Sequence, residues 1–165
     1  MNSSAKPPSI SETHHEHLVR PQHTNAHHTV FGGEVMAWVD VAAATCAMRH
    51  CGRAVVTASI DSLHFLAPVK IGWLVCLDAK VNFTSRTSCE VGVRVTAVNP
   101  VTSETHHTAS AYLTFVALDS NGKPAPIPTL DPQTALEKRR FQEAKDRRQD
   151  RLALKERLKK RRADD

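Results

Sequence analysis

The chain has 165 residues, 41% of them hydrophobic, which suffices for one domain with a core of its own and an appendage. No run approaches the roughly 20 consecutive apolar residues that a membrane span needs, and the polar start shows no secretory signal. Residues 134–165 carry 13 Lys/Arg and 7 Asp/Glu, a balance of +6, whereas the rest holds 9 and 10, a balance of −1. The body therefore offers no basic face for nucleic acid, and only the tail could bind one.

Three segments are expected along the chain: a disordered leader over residues 1–12, one domain over residues 13–130, and a charged helical extension over residues 131–165. The four cysteines lie within apolar segments and form no C-x-x-C pair, which indicates reduced, buried thiols and a cytoplasmic protein. These cysteines are Cys46, Cys51, Cys76 and Cys89.

The domain is predicted to begin with a short extended segment over residues 14–20, followed by a polar loop and a long helix. Residues 34–49 are rich in Ala, Met and Val and contain no Gly or Pro. Gly52 follows this run, and glycine is a typical residue after a helix C-terminus. Apolar residues occupy nearly every face of the helix, so it is expected to be mostly buried.

Four β-rich runs follow the helix, at residues 55–66, 73–84, 88–98 and 105–118. They are rich in Val, Thr and aromatic residues, and turn-forming residues separate them, as is typical of strands. One long helix combined with an antiparallel sheet predicts an α+β domain, with the helix on one face of the sheet.

The tail differs in composition from the domain. Over residues 131–163 the apolar side chains are too sparse to bury a face, and charges recur at i, i+3 and i+4. This pattern predicts a solvated helix held by local ion pairs. It is expected to dock on the domain only through its first turns.

Asp40 is the first candidate functional residue, because it lies two turns into the most apolar helix of the chain. A carboxylate there has to be hydrogen-bonded, be protonated, or face a cleft or an interface, since burying a bare charge is costly. It could act as a general base, or it could be a polar anchor for a neighbouring loop.

Gly32 and Gly33 stand at the predicted start of the same helix. Backbone N–H groups without side chains around them, at the positive end of a helix dipole, can hold a carbonyl oxygen as it becomes an oxyanion. The alternative is close packing of the helix start. Asp40 is seven residues beyond Gly33, on the same face and about two turns away. This arrangement suits hydrolysis of an acyl group.

Several motifs extend this pattern along the chain. Residues 25–40 read NAHHTVFGGEVMAWVD, and VTASIDSLHF, FTSRTSCEV and AYLTFVALD follow at residues 56–65, 83–91 and 111–119. In this order they resemble the motifs of hot-dog-fold acyl-CoA thioesterases, in particular the cytosolic acyl-CoA hydrolases. The resemblance implies a hot-dog fold, in which an antiparallel sheet wraps around the long helix, with a charged C-terminal helix added.

The resemblance also implies a reaction, the hydrolysis of a fatty acyl-CoA to a free acid and coenzyme A without a cofactor, since coenzyme A is part of the substrate. Two domains would pair and form the sites at their interface. Asp40 of one subunit would be the general base or nucleophile, Asn25 of the other would orient water or substrate, and the Gly33 amide would polarise the carbonyl. The family implies a homo-oligomer, built as a trimer of such dimers.

Substrate-binding residues are likewise implied by the resemblance. Arginine suits the geometry of phosphate groups, so two arginines of the tail could meet the phosphates of coenzyme A, or they could remain solvated. The implied binding residues are Gly32, Arg86, Thr87, Ser88, Arg139 and Arg140.

His28 departs from the family pattern, which has glycine at that position. If the backbone there needs a positive φ, histidine is strained, and the loop around Asn25 differs. The other histidines predict no metal site, because His15 and His17 would place at most two ligands on one strand face.

Two other functions remain open at this point. Because a fold does not fix its chemistry, the chain could bind or sense acyl-CoA without hydrolysing it. It could also be a hot-dog enoyl-CoA hydratase or dehydratase, which would need a catalytic Asp/His pair that includes His27 or His28.

Overall fold

The computed structural model describes residues 5–163 of the chain. Within them, one antiparallel sheet has the spatial order β1-β3-β4-β5-β2, so β1 and β2 form its edges. Its strands are β1 (Thr13–Leu18), β2 (Val55–Ile60), β3 (Leu74–Thr84), β4 (Ser88–Val98) and β5 (Thr105–Ala117). The helices are α1 (Gly32–Cys51) and α2 (Ala135–Ala163). None of the helices in this part of the chain is long and apolar enough to cross a membrane.

Helix α1 forms where the sequence predicts it. Its last turn is closed by Gly52, which has the left-handed φ of 66° and donates its N–H to the carbonyl of Met48 at 2.8 Å. A residue with a side chain would be strained in this conformation, whereas glycine adopts it readily. The helix packs against all five strands, so a long helix lies against a curled antiparallel sheet, as predicted.

The two faces of the sheet carry different side chains, because successive residues of a strand point to opposite sides. On β4 the inward residues Val91, Val93 and Val95 are at most 2% exposed and belong to the core around α1. The outward residues of the same strand include Glu90 and Arg94. Helix α2 crosses this outer face, and the ring of Phe141 lies 5.2 Å from that of Phe83. The domain therefore has a helix on each side of the sheet.

The predicted leader is shorter than expected. Residues 1–4 lie outside the described residues, but residues 5–12 belong to the fold: Lys6 exchanges backbone hydrogen bonds with Thr129 and Asp131, and Ser11 is fully buried. A turn of 3-10 helix at Pro8–Ile10 lies between them. The polar composition of this segment predicts disorder, whereas its contacts with the chain after β5 hold it in place.

The predicted first run after α1 is also longer than the strand that forms. Strand β2 ends at Ile60 rather than at residue 66. Beyond it, Asp61 and Leu66 donate backbone hydrogen bonds to Tyr112 and Thr108 of β5, but the residues between them leave the ladder. Residues 61–66 therefore follow β5 as an irregular segment.

The expectation that α2 docks only through its first turns is wrong. Ala144 is fully buried, and both Arg147 and Arg151 form ion pairs with the domain, in the fourth and fifth turns of the helix. All four cysteines are free and buried, in agreement with the prediction.

His50 gives the fold a sensitivity to acid. Its imidazole is fully buried near the end of α1, with Nε2 3.3 Å from the carbonyl oxygen of Pro128. Burial lowers the pKa of His50, and the nearby Lys6 lowers it further, against the opposing effect of the Pro128 carbonyl. The unfolded chain thus binds this proton at a higher pH than the folded one, so the free energy of unfolding falls as the pH drops below about 6.5.

We expect the free energy of unfolding of His50→Gln to fall less steeply with decreasing pH. Glutamine keeps a donor near the Pro128 carbonyl but takes up no proton. Urea unfolding at several pH values between about 5 and 8 measures this slope. His14→Gln is the control of opposite sign, because hydrogen bonds to Asp78 and then Glu16 raise the pKa of His14. Loss of the His14 imidazole should make the free energy of unfolding fall slightly more steeply as the pH decreases. An unchanged slope in His50→Gln would contradict the assignment.

Candidate active site

Helix α1 leaves one stripe of its surface open, which we call the open stripe: Gly33, Met36, Ala37, Asp40, Val41 and Met48. Met36 is 43% exposed, Val41 57% and Met48 44%. The sequence predicts a mostly buried helix, and in the single chain this stripe is the exception. An exposed apolar stripe usually marks a contact with another molecule.

Asp40 is the one charged residue of the open stripe, and it is half-buried rather than enclosed in the core. Its Oδ1 accepts a hydrogen bond of 2.9 Å from the Oγ1 hydroxyl of Thr57 on β2. Within the described residues, Oδ2 accepts no hydrogen bond. One oxygen is therefore oriented by Thr57, and the other remains available to a water or a substrate.

Thr57 is a residue that the sequence reasoning missed. It lies within the motif at residues 56–65, but nothing in its type or position marks it as a partner of Asp40. Strand β2 is a sheet edge beside α1, and the register of its bulge between Thr57 and Ser59 is visible only in the fold. The Thr57 hydroxyl fixes the orientation of the Asp40 carboxylate through its hydrogen bond to Oδ1.

Gly32 and Gly33 form the first turn of α1. The hydrogen bonds of the helix begin with the N–H groups of Glu34 and Val35, both donated to the carbonyl of Phe31. The N–H groups of the two glycines find no acceptor in residues 5–163 and lie at the positive end of the helix dipole. A Cβ on Gly33 would overlap with the ring of Phe31, and one on Gly32 would lie 3.3 Å from Phe65. Close packing against these two rings therefore also favours glycine at both positions.

Asn25 lies in a tight loop that precedes α1, and within the described residues it forms no hydrogen bond with Asp40. Its Oδ1 accepts a hydrogen bond of 2.9 Å from the N–H of His27, and its Nδ2 lies 3.1 Å from the Oγ1 of Thr29. Its side chain thus builds its own turn. His28 has a φ of 58°, so the backbone at this position does adopt a positive φ, in which a histidine is more strained than a glycine would be.

Five of the six predicted coenzyme A residues lie outside α1, the exception being Gly32. Arg86 and Thr87 form the turn between β3 and β4, where their carbonyl groups accept hydrogen bonds from Ile127 and Ala117. Ser88 opens β4 and faces a groove under α2. Arg139 is exposed and pairs with Glu143 at 3.4 Å, whereas Arg140 is half-buried near Lys80 and Asn82. Within the described residues, none of these five is hydrogen-bonded to Asp40.

The groove under α2 has a volume of about 1480 Å³ and lies on the outer face of the sheet. Its residues include Glu90, which is 1% exposed and accepts hydrogen bonds from Arg147 at 2.7 Å and Arg151 at 2.9 Å. Arg151 also pairs with Asp61 at 2.7 Å, and the Arg147 guanidinium lies 3.7 Å from the centre of the Tyr112 ring. We call these five residues the α2 clamp. It fixes α2, and it lies apart from Asp40.

No group of three or more His, Cys, Asp or Glu side chains suited to a metal ion occurs in the described part of the chain. His14 is instead hydrogen-bonded to Asp78 at 2.7 Å and to Glu16 at 3.2 Å. His17 stacks on Trp38 with ring centres 4.5 Å apart.

Comparison with known proteins identifies a family and relatives that this chain resembles. The model of the thioesterase superfamily matches residues 27–104. An uncharacterised acyl-CoA thioester hydrolase of Bacillus subtilis is 47% identical over 116 residues, which is 70% of this chain and 67% of that protein.

Two solved structures are similar over most of their length. A hexameric acyl-CoA thioesterase without ligand is 43% identical, with a TM-score of 0.89, and the match covers 92% of this chain and 97% of that one. An acyl-CoA hydrolase from Staphylococcus aureus, solved with butyryl coenzyme A, coenzyme A and coenzyme A disulfide, is 40% identical. Its TM-score is 0.88, and the match covers 94% of this chain and 95% of that one.

Proposed function

The chain belongs to the thioesterase superfamily and has its hot-dog fold, and we propose that it hydrolyses acyl-CoA thioesters to a free acid and coenzyme A. The observation that carries the proposal is the carboxylate of Asp40. It is oriented by Thr57 at 2.9 Å, lies on the open stripe, and is two turns from the unpaired N–H groups of Gly32 and Gly33.

The spacing between the Asp40 carboxylate and the glycine N–H groups along α1 suits the binding of one thioester between them. Seven residues of helix correspond to a rise of about 10 Å, which the lean of the Asp40 side chain toward the helix start shortens. A carbonyl oxygen held by the Gly33 N–H places its carbon roughly 4 Å from that nitrogen. The remaining distance accommodates direct attack by the carboxylate, or attack by a water that the carboxylate deprotonates. In both cases the helix start stabilises the oxyanion.

The Staphylococcus aureus hydrolase supports the choice of residues. Its structures include variants in which an asparagine, an aspartate and a threonine are separately replaced by alanine; the asparagine precedes the aspartate by 15 residues and the threonine follows it by 17. In this chain Asn25 precedes Asp40 by 15 residues, and Thr57 follows it by 17. The proposal therefore includes Asn25, whose loop would reach Asp40 across a subunit interface.

A homo-oligomer with the site at a subunit interface is part of the proposal. The open stripe is apolar around Asp40, and the adjacent β2 is an exposed sheet edge with Val56 46% and Ile60 41% exposed. Edge strands and apolar stripes are surfaces that an isologous pair of copies can cover together. Three such dimers would give a hexamer. The binding of coenzyme A by Arg86, Thr87, Ser88, Arg139 and Arg140, and a cytoplasmic location, remain predictions.

The test is a panel of thioesters from acetyl- to palmitoyl-CoA, with the released thiol followed by a thiol reagent and the acid identified by mass spectrometry. We expect turnover of at least one fatty acyl-CoA. Tight binding without turnover across the panel would overturn the proposal in favour of a binding protein. Hydration of an enoyl-CoA would indicate a hydratase, although the partner of Asp40 is Thr57 rather than a histidine.

A further inference from the structure

Two aromatic rings lie directly over the first turn of α1. One belongs to Phe31, the residue before the helix, and the other to Phe65, in the irregular segment that follows β2. A Cβ on Gly33 would overlap with the Phe31 ring, and a Cβ on Gly32 would lie 3.3 Å from the Phe65 ring. Each ring therefore stands beside one of the two glycines whose N–H groups are unpaired in the described residues.

Both rings are outside the core of the chain. Phe31 is 57% exposed and Phe65 46% exposed, whereas the neighbouring Leu63 packs against the core. Exposing a large aromatic side chain forgoes much of the stabilisation that its burial would give. Two such rings at one point therefore indicate an apolar group that covers them.

The backbone at Phe31 and on both sides of Phe65 is hydrogen-bonded to the rest of the domain. Phe31 donates its N–H to the carbonyl of His23 at 2.8 Å, and Val30 donates to Val69 at 2.8 Å. On the other side, the N–H groups of Asp61 and Leu66 are bonded to β5 at 2.9 and 2.8 Å. The backbone positions from which the two rings project are thus fixed before a ligand arrives, which reduces the entropy that binding loses.

We propose that Phe31 and Phe65 form the walls of a slot for the first methylene groups of the acyl chain, and that this slot sets the preference for acyl groups longer than acetyl. The inference rests on the proposed function. With the carbonyl oxygen at the glycine N–H groups, the carbon atoms next to the carbonyl come within van der Waals reach of the Phe31 and Phe65 rings, which lie next to those glycines. The open stripe beyond Asp40 and the edge of β2 remain for the partner subunit.

The slot predicts a change in chain-length preference. We expect Phe65→Ala to lower kcat/KM for butyryl- and octanoyl-CoA by roughly 10-fold or more, because methylene contacts are lost. The value for acetyl-CoA should change by less than about 3-fold, since acetyl has one methyl group to place there. Phe65→Leu, which keeps an apolar side chain, should restore most of the preference. Phe31→Ala should act in the same direction as Phe65→Ala.

Leu66→Ala is the matched control. Leu66 is the next residue, is more exposed at 65%, and lines the groove under α2 instead of the glycine turn. It should leave the chain-length profile unchanged. The slot is refuted if Phe65→Ala lowers the acetyl and octanoyl values equally, or if Leu66→Ala shifts the profile as strongly. If the unaltered protein hydrolyses none of the thioesters, the proposed function fails, and the slot fails with it. This result differs from the two above, in which the protein hydrolyses thioesters but the slot does not set its preference.

Discussion

The Asp40→Asn variant is expected to lose thioester hydrolysis by about two to four orders of magnitude in kcat while it folds normally. Asparagine has nearly the same shape, and its carbonyl oxygen can still accept the 2.9 Å hydrogen bond from Thr57. What it lacks is the negative charge needed to deprotonate a water or to attack the carbonyl. A loss confined to kcat, with substrate binding retained, identifies a role in the transition state.

The control for this substitution is Asp78→Asn. Asp78 is an exposed carboxylate on β3 that is bonded to His14, away from α1. It should keep full activity. Wild-type rates in Asp40→Asn would refute the proposed mechanism, and loss of secondary structure in the variant would make Asp40 a structural residue instead.

Thr57 should act through Asp40 and not by itself. We expect Thr57→Ala to lower kcat less than Asp40→Asn does, and Thr57→Ser, which keeps the hydroxyl, to retain most of the rate. Equal rates in Thr57→Ala and Thr57→Ser would show that the hydroxyl plays no part in orienting the Asp40 carboxylate.

The two roles left open for Asp40 predict different species during turnover. A nucleophile forms a bond from the Asp40 carboxylate to the acyl carbon, and the coenzyme A thiolate leaves as an acyl-enzyme forms. A general base takes a proton from water and stays unmodified. Intact mass measurement after a rapid acid quench, with octanoyl-CoA in single turnover, separates them by the mass of the acyl group.

The strands illustrate how far the sequence predicts the fold. Residues 88–98 were predicted as a strand, and β4 is Ser88–Val98. Alternating apolar residues and clear turns define both of its ends. The prediction for residues 55–66 was too long, because the end of β2 depends on where the chain leaves the ladder of β5, and this is a tertiary contact.

The residues of the candidate site could also be predicted only in part from the sequence. Asp40 and the glycine pair stand out in the sequence, since each is an unusual residue for its predicted place in a helix. Thr57 and Phe65 do not, because threonine and phenylalanine are ordinary in β-rich segments and their importance comes from what α1 places beside them. Asn25 is expected to complete the site from a second chain, and a single sequence cannot show that juxtaposition.

The charged tail shows why charge patterns alone mispredict docking. Residues 131–163 have the alternation of a solvated helix, and Arg139, 68% exposed in its side chain, behaves as predicted. Arg147 and Arg151 look identical in the sequence, but they face Glu90, whose carboxylate is 1% exposed. Because Glu90 is buried on β4, Arg147 and Arg151 form tertiary contacts instead of remaining solvated.

The Arg147→Ala variant is expected to lose about 3 kcal/mol of stability, because removing one partner of a buried ion pair leaves a charge poorly compensated. Burial alone would lower the pKa of the Arg147 guanidinium, but its hydrogen bonds to Glu90 raise it, so the guanidinium stays charged. The substitution also removes the guanidinium from the face of Tyr112, 3.7 Å from the ring centre. Arg151 remains bonded to Glu90 at 2.9 Å, which keeps the loss below that of a fully isolated carboxylate.

Urea unfolding at one fixed protein concentration measures this loss, since an oligomer gains stability with concentration. Arg139→Ala is the matched control on the same helix, and its exposed i,i+4 pair with Glu143 predicts a change below about 0.5 kcal/mol. Glu90→Gln should reduce the cost of Arg147→Ala when the two are combined, because glutamine needs no counter-charge. Equal losses in Arg147→Ala and Arg139→Ala, or strictly additive losses in the Glu90/Arg147 cycle, would show that the α2 clamp does not hold the helix.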